Sequence, residues 1–388
     1  MSAMTHRQRI LNALDHKESD RVPIDFGGTY TTTIFHTAYD RLTERLGIDA
    51  GETQIYSKTR RLAIPSEAVL QRFDIDTRFV GLSPYEGDQR EIDQDTYLDE
   101  WGTSWKKADD GHYLYVDGPF FELKRPPLEC LDIDHWPDPE NPGYYRGLAE
   151  RARVARASGC AVILNMPIGV IHQGQFLRGF ADWLKDLYKN RAFSQRMMEV
   201  IAERWIAVAE KALDECAGNV DIVFFGDDLA SQLAPLFNPE IYREIIKPLH
   251  ARMIAAVKAK AEVRVLYHSC GAVTPLIDDL IEIGVDALNP VQVTARDMEP
   301  ATLKKRWGDS ITFWGGINSQ QVLPFGTPDE VRAEVRRVID ILAPGGGFVL
   351  NSVHNIQNDV TADNIIAMFD EASAYQPGSG NYTYAASG

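Results

Sequence analysis

Cysteine is scarce in this chain. Cys130, Cys160, Cys216 and Cys270 are four in 388 residues, too few and too scattered for a disulfide framework, so reduced thiols are expected. No apolar run approaches bilayer-spanning length. The opening "MSAMTHRQRILNALDHKESDR" reads as an amphipathic helix without the apolar core of a secretory leader. A cytoplasmic protein with no membrane partner is expected. Basic residues are outnumbered 40 to 56, giving a net charge of −16, and no basic stretch is long enough to track a phosphate backbone. That balance argues against nucleic acid and against anionic membranes as partners. Neither GxGxxG nor GxxxxGK[ST] occurs, which removes the usual signatures of a nucleotide-binding doubly wound sheet.

What is present is a rhythm. Strand-like runs, "DIVFFGDD" (221–228), "VRVLYHSCG" (263–271), "VDALNPVQ" (285–292), "ITFWGGINS" (311–319) and "GGFVLNSVHN" (346–355), alternate with helical patterns such as "TPDEVRAEVRRVIDILA". Parallel strands joined by crossover helices produce this order, and a parallel sheet covered on both faces has near-continuous apolar strands. "RVPIDFGG" and "CAVILNMPIG" are earlier strands of the same kind. The expected fold is a single α/β (β/α)8 TIM barrel over residues 1–375, with an N-terminal helical extension. Residues 99–124, rich in alternating aromatics, read as a β-hairpin-like insertion at about 95–125, and residues 376–388 as a flexible tail.

Side chains at the C-terminal ends of barrel strands surround one pocket. Here those ends carry Asp227 and Asp228, His268 and Cys270, Asn289 and Gln292, Asn318, and then His354, Asn355 and Gln357. His268 and Cys270 stand at i and i+2, so on an extended backbone both face the same way, and an imidazole and a thiolate there can share one ion. His354, at the end of a later strand, is brought alongside by barrel closure. Zn²⁺ favours such a nitrogen and sulfur set, and a catalytic zinc keeps three protein ligands and one open position. The residues alone leave a second reading open, a buried cysteine beside a histidine that hydrogen-bonds a loop.

"HSCG", with "DDLASQLAPLFNPEIYREIIKPLHARM", "LIDDLIEIGVDALNPVQ", "GGFVLNSVHNIQ" and the opening "RQRILNALDHKESDRVPIDFGG", resembles the uroporphyrinogen decarboxylase superfamily over about residues 5–372. The resemblance implies a single (β/α)8 barrel and one of two chemistries. One branch decarboxylates uroporphyrinogen without a cofactor; the other comprises zinc-dependent methyltransferases that exchange methyl groups with a corrinoid. The decarboxylases carry an "RQAGR"-type loop and an aspartate ending an early strand, whereas this chain has "IDFGGTYTT" and "IDTRFVGLSP" there. The methyltransferase pattern is HxC followed by a distant cysteine. His268 and Cys270 match it, and His354 in "SVHNIQ" takes the place of the second cysteine.

The resemblance therefore implies metal ligands His268, Cys270 and His354, Zn²⁺ as cofactor, and a corrinoid (cobalamin) supplied by a partner protein, since no DxHxxG stretch offers an axial histidine to cobalt. The substrate would be a small methylated molecule, a methyl ether or methylamine, and a homodimer is the expected assembly. Asp227 or Asp228 would supply a proton, orient a ligand or complete the coordination, or alternatively cap the following helix. His172 and Gln173 would line the pocket, and Gln292, Asn318 and Gln357 would hydrogen-bond substrate or cofactor, although rim amides also tie loops together. Trp101, Trp105, Tyr113 and Tyr115 would cover the mouth or simply pack. The alternatives are a metal-free decarboxylase or lyase on a smaller substrate, and a non-catalytic tetrapyrrole-binding accessory protein.

Overall fold

The computed structural model describes residues 4–56, 59–87, 89–109, 111–133, 136–167 and 169–376. Seven parallel strands form one curled sheet: β1 (Thr77–Gly81), β2 (Ala161–Asn165), β3 (Ile222–Gly226), β4 (Arg264–His268), β5 (Ala287–Asn289), β6 (Thr312–Ile317) and β7 (Phe348–Ser352). Each neighbour in space is the neighbour in sequence, which is the order right-handed crossover helices impose.

The eighth staves position is held by residues 22–26, the expected "RVPIDFGG" strand, in shortened form. Leu350 N donates to Pro23 O at 2.9 Å and Asp25 N to Leu350 O at 3.0 Å on one side. On the other, Asp76 N donates to Ile24 O at 3.0 Å, and Ile24 N donates to the Asp76 carboxylate rather than to a strand carbonyl. Pro23 has no amide hydrogen, so a full ladder cannot form here, yet the (β/α)8 barrel closes.

Side-chain alternation divides the core in two. Ala161, Ile163, Ile222, Phe224, Leu266, Ala287, Trp314 and Val349 point inward and form the barrel interior, while Val162, Leu164, Val223, Phe225, Val265 and Leu288 point out under the helices. The amphipathic N-terminal pattern is the helix α1 (His6–Leu14), started by a capping box between Thr5 and Gln8. Its Ile10, Ala13 and Leu14 plug the N-terminal end of the interior cluster.

The expected hairpin is larger than its aromatic pattern suggests. It is a four-stranded antiparallel sheet built from Arg90–Glu91, Thr96–Leu98, Ser104–Lys107 and Tyr113–Asp117. Its first strand is charged and short, and so carries no alternation. The helical stretch that begins at Pro239 is interrupted: a wide π-turn at Tyr242–Ile246 precedes the α-helix Lys247–Lys260, next to Pro248, which cannot donate into a regular turn. The expected tail lies, from residue 377 on, outside the described residues. Among the described residues, no helix is long and apolar enough to cross a membrane.

Candidate metal centre

The inward row of β4 runs Leu266, His268 and then, past the strand end, Cys270. Gly226 on β3 makes room for this turn: a Cβ there would lie 2.2 Å from the His268 carbonyl oxygen. Gly271 follows with φ +91°, a left-handed conformation that lets the chain turn sharply away behind the thiol. Cys270 Sγ stands 3.4 Å from His268 Nε2, and the His354 ring, delivered by the loop after β7, is 5.6 Å from the His268 ring. The ligand atoms of His268, Cys270 and His354 all lie within 4.8 Å of one another.

The neighbours of these side chains suit a cation. Asn289 Oδ1 accepts from His268 Nδ1 at 2.6 Å and from the Thr31 hydroxyl at 3.1 Å, while Asn289 Nδ2 donates to Trp314 O. The amide orientation is thereby set, Nδ1 of His268 must carry the hydrogen, and the Nε2 lone pair faces Cys270. Burial and the neighbouring His268 lower the pKa of His354 to about 4, so that its imidazole is neutral. Burial also lowers His268, and it pushes the Cys270 thiol well up, with Asp228 adding to the effect. Two neutral imidazoles and a thiol held in contact, beside a carboxylate, form a donor set whose sulfur ionises only against a cation. A zinc ion with bonds of about 2.0–2.3 Å matches donors at these separations. The residues present fit the metal.

Asp227 and Asp228, at the end of β3, have different surroundings. Asp227 is fully buried, and His250 Nε2 donates to it at 3.0 Å; the hydroxyls of Tyr267 and Tyr242 stand 3.3 and 3.4 Å from the other nitrogen of His250. Asp227 also accepts the His172 backbone amide at 2.9 Å. Burial alone would raise Asp227, but His172 and His250 outweigh it and hold the carboxylate down at about 2. Asp228 accepts the Cys270 amide at 2.8 Å and is likewise held below the usual carboxylate range, because His172 and His268 overcome its burial. Between the two acids sits His172, with its ring nitrogens 3.3 Å from Asp227 and 3.4 Å from Asp228. Burial opposes its charge, yet the two carboxylates prevail and raise its pKa to about 9. Around neutral pH the proton in this group therefore resides on His172, and both aspartates are ionised.

His172 belongs to the helix α2 (Val170–Arg178), not to a surface loop. Together with Tyr30, Arg60, Asp228, His268 and His354 it lines a cavity of about 70 Å³ at the barrel mouth. Gln173, next on α2, faces a second cavity of about 550 Å³ on the side of the four-stranded sheet, and the two cavities share Tyr30 and Arg60. Trp105 and Trp101 both line that larger cavity, and Trp101, 4% exposed, packs against Trp136 and Trp205. Tyr113 and Tyr115 pack with Tyr97, Trp105 and Phe176.

The amides singled out at other strand ends turn toward the backbone. Gln292 Oε1 accepts the Gly271 amide at 2.6 Å, Asn318 Oδ1 accepts the amides of Gln320 and Gln321, and Gln357 Nε2 donates to Asn355 O. None of the three lines the two cavities. Gln292 instead braces the loop that carries Cys270. Sequence reasoning passed over His250, Tyr30 and Arg60. His250 occupies the apolar face of its helix, where a histidine breaks the pattern, and that break was the available signal; the other two sit in segments without periodicity.

Comparison with known proteins places this geometry. The family model described as Uroporphyrinogen decarboxylase (URO-D) matches residues 165–375, more than half of the chain. The Methylcobamide:CoM methyltransferase MtaA of Methanosarcina barkeri is 28% identical over 191 residues, covering 48% of this chain and 52% of its own length. A Uroporphyrinogen decarboxylase of Chlorobium phaeobacteroides is 24% identical over 191 residues, covering 46% of this chain and 51% of its own. The chain thus spans about half the length of the curated relatives it matches. A solved methyltransferase from Methanosarcina mazei shares the fold over 95% of this chain and 98% of its own, with a TM-score of 0.65 at 18% identity. His268, Cys270, His354, α2 and every strand from β3 on lie inside the matched segment, and the chain belongs to the uroporphyrinogen decarboxylase family.

Proposed function

We propose that this protein is a zinc-dependent methyltransferase that moves a methyl group between a small methylated substrate, a methyl ether or methylamine, and a corrinoid carried by a partner protein. The observation that carries this reading is the convergence of His268, Cys270 and His354 within 4.8 Å at the C-terminal mouth of the barrel. The similarity to the Methanosarcina proteins named for methyl transfer supports it.

Zinc held by these three side chains would supply a Lewis acid facing the small cavity. The chain's own residues do the rest. Asn289 fixes the His268 ring so that Nε2 is always the ligand. Asp227 and Asp228 keep His172 charged beside the cavity, where it is placed to hand a proton to the departing heteroatom. The bond between heteroatom and methyl carbon breaks, its electron pair stays on the heteroatom with the proton from His172, and the methyl carbon bonds to the acceptor through the acceptor's own pair. His250 holds Asp227 from behind and is itself met on its other nitrogen by the Tyr267 and Tyr242 hydroxyls.

The test is methyl transfer to reduced free cobalamin, followed by the cobalt absorption spectrum with methyl ethers and methylamines as donors. Methylation of cobalt that requires one zinc per chain supports the proposal. Turnover by metal-free protein that releases carbon dioxide from a carboxylated substrate would replace it with the decarboxylase reading, which the similarity to the Chlorobium protein favours.

A further inference from the structure

The cavity of about 550 Å³ is far larger than a methanol or methylamine needs, since each is on the order of twice the roughly 30 Å³ share of a water molecule. The 70 Å³ cavity beside His268 and His354 is already large enough for such a molecule. The larger volume lies in the range of pockets that enclose a whole small organic ligand, and its walls match that use: rings of Tyr56, Tyr97, Trp105, Tyr144 and Phe176 surround it. The walls are themselves braced edge to face, with Trp105 and Phe176 4.8 Å apart at 76° and Tyr56 packed 4.4 Å from Phe79 at 68°. Trp105 Nε1 donates to Asp99 at 2.7 Å, which holds the indole in place.

Two polar groups in this wall are unmatched among the described residues, the Trp205 indole nitrogen and the Gln173 amide. Gln173 is 4% exposed and its Nε2 has no hydrogen-bond partner among the described residues. A buried amide NH₂ left in this way costs about 1–3 kcal/mol unless a ligand oxygen accepts from it. Its neighbour in sequence, His172, faces the metal cavity, so α2 presents a donor to each cavity one residue apart.

An aromatic wall also suits a methylated ammonium cation, but the junction does not. Arg60 lines both cavities, with its guanidinium 4.9 Å from the Tyr30 ring centroid, and a cationic nitrogen passing its methyl group toward the metal would pass this charge. An oxygen that becomes negative as its methyl group departs is favoured at the same place. Of the acids in the wall, Asp99 is pushed up to about 7 by burial, with Glu100 adding.

We infer that the larger cavity binds the ring of an aromatic methyl ether, with an oxygen substituent on Gln173 and the methoxy group directed past Arg60 into the metal cavity. This rests on the methyltransferase reading and names the class of its substrate.

The experiment is calorimetric titration of the full-length protein, without any corrinoid, using 2-methoxyphenol as probe and methanol and tetramethylammonium as comparators. We expect 2-methoxyphenol to bind at least tenfold more tightly than either comparator, and Gln173→Leu to weaken it about five- to tenfold. Trp105→Leu should weaken it as well, with circular dichroism confirming the fold of both variants. Equal affinity for tetramethylammonium or methanol overturns the inference, as does 2-methoxyphenol binding that neither substitution alters. If 2-methoxyphenol binds as expected but no methyl group ever reaches cobalt, the pocket assignment stands and the transferase reading falls. If methanol methylates cobalt while no aromatic ligand binds, the transferase reading stands and the pocket assignment falls.

Discussion

The barrel holds a cluster of buried charge at each end, and the two are built on opposite principles. At the N-terminal end, Asp76 is fully buried and meets Arg21 at 2.6 Å, Arg9 at 3.2 Å and His6 at 2.8 Å, while Arg21 and Arg9 reach on to Asp74 and Asp20. Fixed guanidinium charges answer the fixed carboxylate. At the C-terminal end, the side chains that meet Asp227 and Asp228 at close range among the described residues are imidazoles, with the Cys270 thiol beside Asp228, all groups that gain or lose a proton or accept a metal. The first arrangement ties α1, the shortened strand at 22–26 and β1 together. The second leaves room for chemistry. In a parallel barrel the two ends divide in this way because strand-end loops vary at the top while the bottom only has to close.

The contrast is broken most sharply at Cys270. Cys270→Ala should reduce zinc from one per chain to none, measured by metal analysis, and abolish cobalt methylation, with little change in thermal midpoint. At the other end, Asp76→Ala should destabilise the fold by about 3–5 kcal/mol, because it leaves Arg21 and Arg9 as buried charges without their shared partner, and urea unfolding reads this directly. Zinc content per folded molecule should stay at one.

His172 sharpens the comparison through pH. Its folded pKa of about 9 lies above the ordinary 6.5, so the charged form is favoured, and its contribution to stability is complete below pH 6.5 and lost as pH rises through about 9. Methyl transfer that uses this proton should fall over the same alkaline limb. His172→Gln should lower kcat about a hundredfold and flatten that limb, read in a pH–rate profile. A smaller effect belongs to Asn289→Ala, which frees the His268 ring and should weaken zinc about 10–100-fold in competition with a chelating dye, without unfolding the protein.

How much of this was legible in the sequence depends on period. Alternation by two gave the inward row Leu266, His268, Cys270, and the repeat of strand and helix gave the barrel. His354 was legible as a residue at the end of a later strand that barrel closure brings alongside, and the family resemblance pointed to the same position. The shortened strand at 22–26 was legible as a strand but not in its length, which depends on Pro23 and on an aspartate 52 residues away from Ile24 taking the place of a carbonyl. The role of Gln292 was not legible either: a rim amide reads the same whether it faces a ligand or, as here, the Gly271 amide. The division of the proton among Asp227, Asp228 and His172 depends on three elements meeting, β3, α2 and the helix carrying His250, and no local pattern encodes that meeting.

The most direct test of the account is X-ray absorption at the zinc edge on protein purified with one zinc per chain. The account predicts a first shell containing one sulfur and two imidazole nitrogens, and no zinc edge from Cys270→Ala purified in the same way. Protein that binds no zinc, or zinc whose shell holds no sulfur and is unchanged in that variant, would contradict it.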